Sequence, residues 1–203
     1  GLVICIRGVD NPYSDLESLA APEQAVLQKI LEVISAARMR DNVYFLNIGS
    51  QSDLAATYRY FAARGSVFAL TSFYEPFGLA PIEAAAAGLA PVATENGGPS
   101  EIFADGSGIL VDPFSDEGIA GGLLKALDRY EELSKKATQR IQELYTWQRA
   151  AKDYLSVITK ALQVGSQEKA LPPETLDYSS QIEAYLRLRL KSSPGVISDQ
   201  RRP

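Results

Sequence analysis

Short, almost wholly apolar runs alternate along the chain with stretches in which apolar positions recur every three or four residues. Residues 2–6, 43–46, 67–70, 90–94 and 108–111 form the first kind and read as buried strands. Between them lie helical patterns. Pro22 stands near the start of an amphipathic stretch reaching Arg38, and Ser52 or Asp53 can cap a second one ending at Ala63. Pro81 falls in the first turn of a third, which ends near Gly88. Strand, helix and strand at this spacing predict right-handed crossovers and one parallel sheet covered on both faces, the doubly wound α/β architecture. Ligands of such sheets sit at the carboxyl ends of the strands, which directs attention to the loops after Leu70 and Thr94.

Beyond the last strand the pattern turns helical over 115–129, 131–144 and 147–162. The chain is therefore expected to hold one domain over 1–163 with a helical C-terminal extension. A polar linker closing on two prolines follows over 164–173, then a helix over 174–191 and a disordered end over 192–203.

Composition narrows the chemistry more than the fold. A length of 203 residues with 46% hydrophobic residues suits one well-packed domain, and a formal charge of -5 is the wrong sign for gripping nucleic acid over a wide surface. There is no histidine, and Cys5 is the one cysteine. A Ser-His-Asp or Cys-His nucleophile, a zinc site of the usual ligands and an internal disulfide are thereby excluded from this chain. No apolar run is long enough to suggest a membrane span and no signal-like segment opens the chain, so a cytoplasmic location is expected. Gly1 without a methionine, running straight into a strand, reads as a piece cut from a longer polypeptide.

The strongest local signal is Phe73-Tyr-Glu-Pro-Phe-Gly-Leu-Ala-Pro-Ile-Glu83, which joins a strand to a helix and places Glu75 in the loop and Glu83 on the helix. Gly78 lets the backbone approach a ligand, and the amides of Phe77, Gly78 and Leu79 at the helix start can face a diphosphate or sugar hydroxyls. A carboxylate accepts two hydrogen bonds from a vicinal diol, so two glutamates held by loop and helix can grip two diols of one elongated ligand. A nucleotide sugar has that shape. In isolation the pair reads more simply as a helix cap and a solvated helix residue. The small residues 84–88 after Glu83 argue against this, since they suit a helix packed on the sheet, where an unpaired carboxylate is costly. A second loop, Thr94-Glu-Asn-Gly-Gly-Pro-Ser-Glu101, could be a plain glycine turn, but one strand along the same edge it reads as the other wall of a pocket.

The run 53–98 resembles the donor-binding, C-terminal domain of retaining GT-B glycosyltransferases of the sucrose synthase, sucrose-phosphate synthase and mannosylfructose-phosphate synthase group. The likeness continues through G-I-L-V-D-P at 108–113 and Y-T-W-Q at 145–148. It implies a Rossmann-like fold and transfer of a hexose, by resemblance glucose from UDP-glucose, to a sugar or sugar-phosphate acceptor, without cofactor or metal. It further implies that Glu75 contacts the transferred hexose, Glu83 the ribose diol, and Pro76, Phe77, Gly78 and Leu79 the sugar and phosphates. Thr94, Asn96, Gly97 and Gly98 would form the loop beside the donor, and 46–51 the segment near the base. The group carries an Arg and a Lys after a first strand that would precede Gly1, and an acceptor domain before that. These become expected partners within one polypeptide, and the isolated chain is expected to be inactive.

In that family the departing diphosphate is stabilised by helix amides and cationic side chains, the acceptor attacks from the face the nucleotide leaves, and Glu75 would position the sugar. No Asp-x-Asp occurs that would suggest a metal-dependent transferase. A non-catalytic nucleotide-sugar-binding module and a transferase with another acceptor stand as alternatives, whereas a dehydrogenase is disfavoured because no G-x-G-x-x-G follows a first strand. Other residues take structural readings: Arg7, after the first visible strand, as a surface residue in preference to a substitute for the absent phosphate-binding arginine, Cys5 as an apolar filler, Tyr58 and Tyr60 as packing, and Trp147 as an anchor for the last helix. Glu131, Glu132, Lys135 and Lys136 read as a solvated face of spaced pairs.

Overall fold

A computed structural model describes residues 1–165, and the expected linker, final helix and disordered end lie outside these apart from the first two linker positions. Two units divide the chain, Gly1–Ala150 and Ala151–Pro203. In the first unit every expected strand forms, although residues 2–6 and 67–70, expected to be buried, include no fully buried position. Strands β1 (Leu2–Ile6) and β2 (Val43–Asn47) pair in parallel, and β3 (Val67–Leu70), β4 (Ala90–Thr94) and β5 (Ile109–Val111) form a second parallel group in the order β3-β4-β5. The single sheet expected from the alternation is thus two sheets in this chain.

Helices α1 (Ala21–Ala36), α2 (Gln51–Ala62), α3 (Leu79–Ala86), α4 (Gly98–Ile102), α5 (Asp116–Asp128) and α6 (Tyr130–Leu144) fill the connections. The cap of α2 is Ser50 rather than Ser52 or Asp53, because its hydroxyl accepts from Asp53 N–H at 3.1 Å. Pro22 and Pro99 lie within the first two positions of α1 and α4, where a missing N–H costs nothing.

β4 is buried along its whole length and divides the core. Ala90 and Val92 pack with Val111, Ala126 and Leu133, while Ala93 packs with Ala85, Ile102, Phe103, Ala137 and Ile141. Period-two alternation sends these side chains to opposite faces. α6 contributes to both layers, through Leu133 on one and Ala137 and Ile141 on the other. Its polar side chains also hold the ends of the neighbouring helices. Tyr130 Oη lies 2.7 Å from the Ala62 carbonyl and 2.9 Å from that of Gly88, Ser134 Oγ donates to Gly88 O and Thr138 Oγ1 to Ala85 O. Orphan carbonyls at the C-terminus of α3 are satisfied in this way, so the opposite end of α3, which carries the candidate site, is held in place.

Glu131, Glu132, Lys135 and Lys136 are exposed as expected; Glu132 binds Arg129 at 2.5 Å and also feels the charge of Lys136, which itself donates to the Asp105 carbonyl at 2.6 Å. Helix α7 (Trp147–Gly165) begins at the end of the first unit and continues into the second. Trp147 is 88% exposed, so the anchoring expected of it is absent among the described residues. No helix among them is long and apolar enough to cross a membrane.

Candidate functional site

The loop after β3 turns on Gly78, whose φ of 85° lies in the left-handed region. A side chain there would be strained and its Cβ would lie 2.7 Å from Ile102 Cδ1. Glu75 is partly buried, and its Oε1 accepts from Phe77 N–H at 3.2 Å and Gly78 N–H at 2.9 Å. Two of the three amides expected to face a ligand are therefore held by Glu75 itself. Pro76, Phe77 and Leu79 are exposed, Phe77 at 77%.

The second loop is stitched to the first. Glu75 N–H donates to Asn96 O at 3.0 Å, Gly98 N–H donates to Glu75 O at 2.8 Å, and Asn96 Nδ2 donates to Phe73 O at 3.1 Å. Glu75 and Gly97 form a parallel bridge, so the β3–β4 ladder resumes beyond both strands. The approach is close enough to demand glycine. A Cβ on Gly97 would collide with the Glu75 carbonyl, one on Gly98 with that of Phe77, and Gly97 has φ 105°. The two loops expected to be separate walls form one hydrogen-bonded platform.

Thr94 is wholly buried and its Oγ1 accepts from Asn96 N–H at 3.2 Å, so its side chain shapes the turn from within. Glu83 is exposed, although Ala84 and Ala85 beside it are fully buried. The desolvation expected of its carboxylate is absent; at about 100° per residue the helix turns position 83 away from the sheet-facing positions. Glu83 lies near Tyr58 of α2. The Tyr58 phenol is pushed up to about 12, first by its partial burial and then by the negative charge of Glu83 and by Cys5. Its ring packs edge-on against Phe68 of β3 with centroids 5.7 Å apart.

A cavity of about 380 Å³ lies at the carboxyl ends of β1 and β2, lined by Cys5, Arg7, Ile48, Gly49, Ser50 and Leu54 among others. Most of the segment expected near the base, 46–51, faces it, and so does Arg7, which was read as a plain surface residue. At the carboxyl ends of β3 and β5 stands a pair that the sequence reading missed. Phe73 and Phe114 stack at 4.9 Å with an interplanar angle of 8°, and both are exposed. The signal was available, since Phe114 follows its strand by three residues just as Phe73 does. Among the described residues there is no group of three or more Cys, Asp or Glu side chains that could hold a metal ion.

This arrangement of two linked loops on one strand edge coincides with a family match. The family described as glycosyl transferases group 1 matches residues 2–144. The chain belongs to that family. It is 49% identical over 160 residues to a protein named probable sucrose-phosphate synthase from Thermosipho melanesiensis, covering 78% of this chain and 34% of that protein. It is 36% identical over 147 residues to sucrose-phosphate synthase of Spinacia oleracea, covering 71% and 14%. The chain thus spans about a third or less of these relatives. Among solved structures, a sucrose-phosphate synthase from Thermosynechococcus elongatus matches with TM-score 0.63 and 23% identity over 80% of this chain and 39% of that one. The C-terminal domain of a group 1 glycosyl transferase from Francisella tularensis matches with TM-score 0.56 and 22% identity, over 63% and 66%. This is a GT-B C-terminal domain, sucrose-phosphate-synthase-like in sequence.

Proposed function

We propose that this chain is the donor-binding half of a retaining glycosyltransferase that moves a hexose, by likeness glucose from UDP-glucose, to a sugar or sugar-phosphate acceptor bound by another domain of the same polypeptide. The observation that carries the reading is the linked platform at the carboxyl edge of the sheet, in a chain 49% identical to a protein named for sucrose phosphate synthesis. Glu75 sits at the centre of that platform. Its Oε1 is engaged by two amides, which leaves Oε2 to meet hexose hydroxyls, and the backbone of Phe77, Gly78 and Leu79 flanks it. Gly97 and Gly98 bring the second loop against it without side-chain bulk, and Asn96 fixes the register.

Glu83, exposed and beside Tyr58, takes the ribose diol, and the cavity edged by 46–51 takes the base. On this reading Glu75 positions the sugar and does not attack it. The protein's contribution is orientation of the sugar and stabilisation of the leaving diphosphate by amides at the α3 start and by cations from outside this chain. The test is transfer by the complete polypeptide from UDP-glucose to fructose phosphate, followed by mass spectrometry of the product. Formation of a phosphorylated disaccharide supports the reading; hydrolysis alone, or transfer to neither sugar nor sugar phosphate, overturns it.

A further inference from the structure

Phe73 follows β3 and Phe114 follows β5, and β4 lies between those two strands, so the backbones that carry the rings start about 9 to 10 Å apart. The rings close that gap. They stack with centroids 4.9 Å apart, yet Phe73 stays 67% and Phe114 71% exposed. Each ring covers one face of the other and leaves its opposite face to solvent. Single exposed apolar residues are ordinary, but a contiguous apolar surface marks a place of binding.

The backbone beneath both rings is fixed. Phe73 O accepts from Asn96 Nδ2 and Glu75 N–H donates to Asn96 O, so one residue ties the ring and the carboxylate together. Phe114 N–H donates to Asp112 Oδ1 at 2.9 Å, and the next residue, Ser115, caps α5. A surface held in this way loses little freedom when it binds. Its surroundings are acidic. Glu75 stands two residues from Phe73, Asp112 two residues from Phe114, and Glu95 is tied to β5 by its N–H on Val111 O, while the chain neighbours Ser72, Tyr74, Pro113 and Ser115 carry no positive charge. An aromatic face beside carboxylates suits a neutral polyol: the C–H bonds of one ring face lie on the electron-rich π surface, and the hydroxyls at the rim donate to the carboxylates. An anionic group is repelled there.

We propose that the stacked pair of Phe73 and Phe114 is the surface on which the acceptor sugar lays one face of its ring, with any phosphate of that sugar directed away from this domain. The inference rests on the functional reading above, in which Glu75 holds the transferred hexose. An acceptor oxygen must come within about 3 to 3.5 Å of the anomeric carbon, so the acceptor ring lies directly beside that hexose. The Cα atoms of Phe73 and Glu75 are at most about 7 to 8 Å apart, which sets an apolar face where the second ring must rest. Docking of another protein domain fits less well, because charged groups are depleted at the centre of such interfaces and three carboxylates belong to the loops that carry this pair.

The test places Phe114→Ala, Phe114→Leu and Phe114→Trp in the complete polypeptide. Trp keeps a flat aromatic face, whereas Leu keeps apolar bulk without one. Phe114→Ala and Phe114→Leu should each raise the acceptor Michaelis constant about tenfold, with the donor constant and UDP affinity changed less than about twofold, and Phe114→Trp should restore most of the loss. The rise should be equal for fructose phosphate and fructose, because the ring and not the phosphate is held. A second measurement needs no turnover. In the UDP-saturated protein, NMR saturation of aromatic protons should pass to the C–H protons of fructose phosphate, and that transfer should fade in Phe114→Leu. Three kinetic results overturn the proposal: an unchanged acceptor constant in Phe114→Ala; a rise confined to the phosphorylated acceptor; or Phe114→Leu as good as the original, which makes the pair a docking face for another domain. If the polypeptide transfers no hexose, the functional reading fails, and the NMR result alone decides the pair: transfer that fades in Phe114→Leu upholds sugar stacking, and transfer that is absent or persists refutes it.

Discussion

The carboxylate of Glu75 accepts from two backbone N–H groups at the start of α3, and a glutamine there retains an oxygen able to accept the same bonds. Glu75→Gln should therefore leave the fold intact while weakening the hold on the hexose as its anomeric centre becomes oxocarbenium-like. Turnover of the complete enzyme is expected to fall roughly 10- to 1000-fold, about 1.4 to 4 kcal/mol, with little change in binding of the plain nucleoside diphosphate. Glu83→Gln should instead raise the donor Michaelis constant with a smaller effect on turnover, because the ribose is the same in ground and transition states. It carries a second readout. The negative charge of Glu83 helps raise the Tyr58 phenol to about 12, so its removal should lower that value in an NMR titration of Tyr58. An unchanged Tyr58 would separate the two side chains and weaken the placement of Glu83 beside the pocket. The glutamates were legible as a pair because spacing and residue type are local. The exposure of Glu83 was not, since it depends on the helix rotation that buries Ala84 and Ala85.

Between elements, the contacts that matter are backbone to backbone or side chain to backbone. Gly97→Ala would set a Cβ against the Glu75 carbonyl at a φ of 105°. A loss of about 2 to 4 kcal/mol in chemical denaturation is expected, with the platform lost before the core. Tyr130→Phe removes the hydroxyl shared between the Ala62 and Gly88 carbonyls and should cost about 1 to 2 kcal/mol. Asp105 gives a pH signature. Burial alone would raise its carboxyl, but Ser107, whose N–H donates to it, together with Arg140 and Lys136, outweighs burial and holds it below its ordinary value. A depressed carboxyl contributes stability above its unfolded value that is lost as pH falls through the folded one. Asp105→Asn should accordingly flatten the acid limb of a melting-temperature profile. Strand and helix spans were readable from apolar period to within a residue or two at most ends. Pairing was not: period marks a strand as buried without saying which strand lies beside it, so one sheet was expected where β1–β2 and β3–β4–β5 stand apart.

For the whole molecule, the proposed reading has this chain supply amide and diol contacts, while the cations to neutralise a diphosphate would come from polypeptide outside it. Isolated, the chain should bind UDP only in the micromolar to millimolar range, on the order of -4 to -8 kcal/mol, and transfer nothing. Calorimetry with UDP, GDP and ADP checks the first expectation, and measurable transfer by the fragment would contradict the second. The Rossmann-like class and the family were legible because the two loops are contiguous in sequence; the acceptor and the donor base depend on groups scattered or outside the chain. The burial around β4 has a consequence for synthesis. Both hydrophobic clusters draw all their members from residues 67–144, so the half that holds the platform is knit from neighbouring segments. These contacts join segments as far apart as Ala85 and Thr138 through parallel strands, so the core can close only once α6 has been made.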